Sequence, residues 1–268
     1  MYTILRKGCV QPAVTAVQIL LNRTRKKSER ISVDGHFGTV TAAAVLEFQR
    51  LKQLKQDGVV GMNTWMALTR ESGLKVIDAV DITDPKHMAL IVSGLVAAGG
   101  DPIVAGAMCG GVDHVVSAIL RQAGQSGSTV LLRFLGHGDT GGEYISGGRY
   151  VVLPSGEKVR DGGRYRNAIF KLKDRENISE LEAVLSRLKT IFVRFGCVEM
   201  HACEIGAGPV GFAMLEHLAR IFHVPVAGGV RTQKVGGLKS FEFEGPVITA
   251  VPFGGNLQGW SAAVAEYE

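Results

Sequence analysis

Val130-Leu131-Leu132-Arg133-Phe134-Leu135-Gly136-His137-Gly138-Asp139 and, further along, Ile191-Phe192-Val193-Arg194-Phe195-Gly196-Cys197-Val198-Glu199-Met200-His201-Ala202-Cys203-Glu204 are the stretches on which the reading of this chain turns. Each is a mostly apolar run that ends in a small residue and then a reactive side chain, histidine in the first and cysteine in the second. Short apolar runs bounded by turn residues read as strands buried on both faces, the kind found in parallel sheets. His137 and Cys203 then fall in loops just past strand ends, where open α/β sheets bind their ligands.

The surrounding sequence agrees with that assignment. After a boundary at Ser72-Gly73, Val76 to Val80 reads as a strand, and Asp84-Pro85 opens a helix that Gly99-Gly100 stops. Ile103 to Met108 is the next expected strand, and Val112, Val115, Val116 and Ile119 share one helical face. Ser179 and Glu182 have capping-box spacing ahead of Leu181, Val184, Leu185 and Leu188. Pro209 opens a helix carrying Leu215, Leu218, Ala219 and Phe222, followed by a strand from Val224 to Ala227. Repeated strand and helix units predict an α/β fold, a largely parallel sheet flanked by helices on both faces. The glycine-rich stretch 141–163 contains an expected hairpin, Tyr150 to Val159, around Pro154-Ser155-Gly156.

The first 70 residues follow another logic. Residues 34–45 and 57–68 both read Asp-Gly-x-apolar-Gly-x-x-Thr-x-x-Ala-apolar, at an offset of 57 − 34 = 23 residues. Asp-Gly supplies a tight turn with a positive-φ position, the apolar residue plugs a core, and the second glycine leads into a helix. With Val14, Val17, Gln18 and Leu21 upstream, and Ala44, Val45, Phe48 and Leu51 between the units, three short helices joined by Asp-Gly turns are predicted. The expected domains are 1–70, all-α; 71–84, linker and first strand; and 85–268, α/β.

Two family resemblances rest on these residues. The repeat, with Phe48-Gln49 and Thr64-Trp65, resembles the small helical peptidoglycan-binding module that accompanies many cell-wall hydrolases. It implies Asp34, Phe37, Gln49, Asp57 and Trp65 as wall-binding residues. The His-Gly block followed by the Ala-Cys block resembles the caspase-like cysteine peptidases. From Asp101 to about Gly237 the chain is similar to a caspase-like domain of unknown function found near the start of giant bacterial adhesins. Gly110-Gly111-Val112-Asp113 and the turn Gly206-Ala207-Gly208-Pro209-Val210-Gly211 carry that likeness.

The chemistry implied is nucleophilic. Cys203 would attack as thiolate and His137 would move the proton. The family likeness adds the Gly138 and Cys203 amides as an oxyanion hole, while Asp139 and Glu204 are candidates for shaping the substrate cleft. The plainer reading of Asp139 and Glu204 is a solvated or capping role. A zinc site is a rival, since His137-x-Asp139 and His201-x-Cys203 each offer two ligands, but no HExxH pattern is present. Neither a metal nor a cofactor is expected. The remaining alternative is a wall-anchored adhesion or interaction protein without catalysis.

Composition limits the choices. In 268 residues, 46% hydrophobic and 21% charged residues fit a folded globular chain. No apolar run approaches the ~20 residues of a membrane span. Arg6, Lys7, Gln11 and Gln18 interrupt the first 21 residues, so no secretory signal core is visible; an envelope location then implies specialised export, release by lysis or a leader already removed. Cys9, Cys109, Cys197 and Cys203 show no CxxC spacing, which disfavours a zinc ribbon or disulfide framework. Residues 1–70 carry 11 Lys/Arg against 4 Asp/Glu, or +7, and the remainder 19 against 21, or −2. The basic module suits an anionic wall polymer, stem-peptide carboxylate or teichoic phosphate. The run Arg23 to Arg30 lacks interleaved aromatics and reads as a solvated loop rather than a nucleic-acid contact. The expected partners are thus a wall polymer and a peptide or protein substrate.

Overall fold

The structure is a computed structural model that describes residues 4–81, 85–97, 99–105, 111–140, 142–143, 149–152, 158–161, 182–233 and 243–268. Three helices open the chain: α1 (Pro12–Arg23), α2 (Thr39–Leu51) and α3 (Met62–Ser72). Both Asp-Gly turns take the positive φ predicted for them, 73° at Gly35 and 67° at Gly58. Gln18 on α1 clamps the first turn: its Oε1 accepts from the Asp34 and Gly35 amides, and its Nε2 donates to Asp34 Oδ1, the His36 carbonyl and Thr41 Oγ1. Gln49 on α2 makes the same five bonds to Asp57, Gly58, Val59 and Thr64. The module is therefore two copies of one unit that share α2.

The α/β part follows. Strand β1 (Lys75–Asp81), helix α4 (Pro85–Ala97), β2 (Ile103–Ala105), α5 (Gly111–Ala123) and β3 (Thr129–Leu135) come first. Two short ladders, β4 (Gly138–Asp139) with β5 (Gly142–Glu143) and β6 (Arg149–Val152) with β7 (Lys158–Asp161), are antiparallel. The second is the expected hairpin, its tip lying outside the described residues. A 3-10 turn at Ser186–Thr190 leads into β8 (Phe192–His201), then α6 (Gly208–Phe222), β9 (Val226–Gly229), β10 (Val247–Ala250) and α7 (Leu257–Ala265).

Six strands form one sheet in the order β10-β9-β8-β3-β1-β2, parallel throughout except for β10, which runs antiparallel to β9. The predicted mostly parallel sheet is thus present, with one reversed edge that the sequence reading lacked. Some of the predicted element bounds shift. The strand read from Val224 begins at Val226, just after Pro225, which has no amide to donate to a ladder. β2 is described only to Ala105. The segment around Leu188 closes as a 3-10 turn, and Ser179 and Leu181 lie outside the described residues.

One face of the sheet packs α5 and α6 through Ile77, Leu132, Phe134, Val198 and Met200 against Val115, Ile119, Leu215 and Leu218. The other face is covered partly by the N-terminal module. Val130, Leu131, Phe195 and Cys197 share one apolar cluster with Val14, Val17, Leu21, Phe48 and Trp65, joined by Val264 of α7. Every residue of α1 from Pro12 to Asn22 is buried, so the helix lies between the sheet and its own module. A helix covered on all sides needs an apolar or neutral surface all round, and Pro12 to Asn22 contains no charged residue.

Candidate functional site

β3 and β8 are neighbours, and Leu135 lies opposite His201. Because the two strands are parallel, positions 137 and 203 each stand two residues beyond this pair, at the carboxyl edge of the sheet. The Gly136 amide donates to the His201 carbonyl at 3.3 Å, stitching the two strand ends together beneath the loops. His137 is exposed and Cys203 half-buried. The Cys203 thiol donates to the Gln233 carbonyl at 3.5 Å.

The cysteine sits in a sharp strand-to-helix turn. Glu204 follows at φ 55°, an uncommon left-handed conformation for a residue with a side chain. Its amide donates to the Arg231 carbonyl and its carbonyl accepts from Ala207. Its carboxylate Oε1 accepts from Thr232 Oγ1 at 3.0 Å, and the side chain is half-buried. The turn can close this tightly because Gly211, in the first turn of α6, lets the backbone approach: a Cβ there would stand 2.6 Å from the Ile205 carbonyl oxygen. Gly138 and Asp139 form the short β4 ladder with Gly142 and Glu143.

The other described thiols differ. Cys197, six residues back and inside β8, is fully buried; desolvation, with the nearby Glu199 charge, pushes its thiol well above the ordinary range. A thiol held protonated is a poor nucleophile. Cys9 is half-buried against the inter-module cluster, and Cys109 lies outside the described residues.

Beneath the site is a buried polar layer that the sequence reading missed. Asp78, Arg133 and Glu199 occupy matching register positions on three adjacent strands. Arg133 Nε donates to Asp78 Oδ1 at 2.6 Å, with both side chains nearly or fully buried. Glu199 is fully buried, accepts from Gln11 Nε2 at 3.0 Å, and has His201 Nε2 2.9 Å from its other oxygen. His201 also stacks on Phe243, with ring centroids 4.3 Å apart. Gln11 precedes α1, so the helical module supplies a polar contact under the Cys203 strand. Among the described residues no group of three or more His, Cys, Asp or Glu could hold a metal ion.

Three of the five expected wall-binding residues lie inside the module. Phe37 and Trp65 are fully buried, and Gln49 is 2% exposed with its amide used inside the second turn. These three build the module and present no surface to a polymer. Asp34 and Asp57 cap their own turns, each Oδ1 accepting from the amide two residues on and from its glutamine. Burial works to raise the Asp57 carboxyl, but the Val59, Gln49 and Lys55 hydrogen bonds and the Lys55 charge together hold it below the usual range. Gln18 was missed as a partner of Gln49 because the two stand 16 and 8 residues before their aspartates, so no single offset aligns both halves of the unit.

Residues 10–68 match the family described as "Putative peptidoglycan binding domain". The chain thus carries a helical peptidoglycan-binding domain followed by an α/β domain with a mostly parallel, mixed sheet. An uncharacterized protein in the bpoA1 3′ region of Kitasatospora aureofaciens is 52% identical over 40 residues, which is 15% of this chain and 34% of that protein. The chain therefore spans about a third of that curated relative. A solved structure of a peptidoglycan-binding protein from Clostridioides difficile, in complex with glutamine hydroxamate, is 35% identical over 25% of this chain and 40% of that one, at a TM-score of 0.23. The matched domain suggests a cell-wall association, and among the described residues no helix is long and apolar enough to cross a membrane.

Proposed function

We propose that this protein is a cell-wall-associated cysteine peptidase of the caspase-like type, with Cys203 as nucleophile and His137 as general base and acid. The observation that carries the reading is the register of β3 and β8, with two reactive residues at equal distance past the ends of adjacent parallel strands. The strand order, with β10 reversed at one edge, and the strand-to-helix turn after Cys203 are in keeping with it.

The reaction would proceed as acyl transfer. His137 takes the Cys203 proton, the thiolate adds to a peptide carbonyl, and the imidazolium returns the proton to the leaving amine. Water then releases the acyl group by the same route in reverse. The Gly138 and Cys203 amides are the proposed oxyanion donors, and Asp139 and Glu204 the proposed rim of the cleft. A second reading, a wall-anchored interaction protein without turnover, is favoured by the thiol's hydrogen bond to the Gln233 carbonyl. The matched domain supports a wall polymer as one partner of either.

The test is mass spectrometry of peptides released when the full chain is incubated with sacculi and with a mixed peptide library. Cleavage by the wild type that vanishes in Cys203→Ala supports the peptidase. Cleavage that persists in Cys203→Ala rules out this nucleophile, and its absence from a folded wild type that still sediments with sacculi favours the interaction protein.

A further inference from the structure

The two Asp-Gly units have the same internal bonding, but they differ in what covers them. In the first, α1 is buried against the sheet, and the Thr15 and Ser261 hydroxyls lie 2.7 Å apart across the junction with α7. The Gly35 turn is also covered: a Cβ at Gly35 would stand 2.9 Å from Leu257. Around the second unit, a groove of ≈ 530 Å³ opens between the end of α2 and the outer face of α3. Leu54, Met66 and Ala67 supply its apolar floor, and Asn63 and Arg70 its polar groups. Met66 is 39% exposed, and Arg70 is exposed in the last turn of α3. Lys52 and Glu71, also on the groove, pair with each other and cancel, so Arg70 sets its net positive charge.

The first unit does not repeat this chemistry. At the 23-residue offset Arg70 corresponds to 70 − 23 = 47, a glutamate that pairs with Arg25. Asn63 corresponds to 63 − 23 = 40, a valine, and Met66 to 66 − 23 = 43, an alanine. The amide, the long apolar side chain and the guanidinium thus occur together only in the second unit.

We infer that the second unit alone binds the wall, and that the occupant of its groove is the carboxylate-bearing end of a stem peptide built of small aliphatic residues. This rests on the wall-binding reading above. Arg70 takes the carboxylate through its forked donors, Asn63 pairs with a peptide group, and Leu54, Met66 and Ala67 cover short aliphatic side chains. A teichoic phosphate would satisfy the guanidinium but offers no peptide group to Asn63. The first unit gives α1 and its Gly35 turn to the core.

The experiment is co-sedimentation of the full chain with intact sacculi and with sacculi stripped of teichoic acid by hydrofluoric acid. The variants are Arg70→Glu and Met66→Asp in the groove and Val40→Asp at the exposed counterpart of Asn63, each melted to verify folding. Wild type is expected to bind both preparations, Arg70→Glu and Met66→Asp to weaken binding by about tenfold, the size of one lost charge-assisted contact, and Val40→Asp to bind as wild type. If wild type binds neither preparation, the wall-binding reading itself fails. Wild-type binding unchanged in both groove variants, or lowered by Val40→Asp alone, overturns the placement. Binding lost on stripping overturns the stem peptide as occupant.

Discussion

The first and second Asp-Gly units are near copies in sequence and in hydrogen bonding, and they end in different environments. Gln18 and Gln49 make the same five bonds, and Gly35 and Gly58 the same left-handed turn. One turn lies under Leu257 and leans, through α1, on a six-stranded sheet; the other touches Leu46 of its own module. Local sequence decided the conformation of each unit. What each is free to do was decided by residues more than 200 positions away, such as Leu257 and Ser261.

The comparison can be broken by substitution. Gln18→Ala and Gln49→Ala each leave buried turn amides without their acceptor, at about 1–3 kcal/mol per orphaned group. The effects should spread differently. Gln18→Ala is expected to speed amide hydrogen exchange in β3 and β8 as well as in the helical module, because α1 packs on that sheet; Gln49→Ala should leave those strands protected. Equal exchange in β8 for both variants would show the module to be one indivisible unit. A smaller contrast is expected for Gly35→Ala against Gly58→Ala. Both force alanine into the left-handed region, at about 1–2 kcal/mol. Gly35→Ala adds a clash with Leu257 at 2.9 Å, whereas Gly58→Ala meets Leu46 at 3.3 Å, so thermal melts should place Gly35→Ala lower. Leu257→Ala should narrow that gap.

The smallest effect concerns pH. The folded Asp57 carboxyl titrates below its ordinary value, so its contribution to stability is present above about pH 4 and is lost as pH falls through the depressed folded value. Asp57→Asn is expected to flatten the acid limb of a stability-versus-pH curve below about pH 4 and to leave the neutral region's slope unchanged. An acid limb identical to wild type would mean that the turn bonds do not distinguish the carboxylate from its acid.

Much of this arrangement was legible in the sequence. Asp-Gly spacing gave both turns, and apolar runs ending at Gly136 and Ala202 gave the strand ends that carry His137 and Cys203. What was not legible depends on distant partners. Arg133 and Glu199 look like interruptions of apolar strands until the register sets Asp78 beside one and brings Gln11 to the other. Val247–Ala250 is four residues with only its last buried, too short for an alternating pattern to emerge, so the reversed edge strand went unread. The burial of α1 did leave a signal, the uncharged run from Pro12 to Asn22, which amphipathic spacing alone had obscured.

Labelling of the full chain with peptide acyl-oxymethyl-ketone probes, read by mass spectrometry of the adduct, tests most directly whether Cys203 is a nucleophile served by His137. An adduct on Cys203 in the wild type, lost in a folded His137→Ala chain and never formed on Cys197, is the predicted result. An equal Cys203 adduct in both chains, or an adduct on Cys9 in its place, would contradict it.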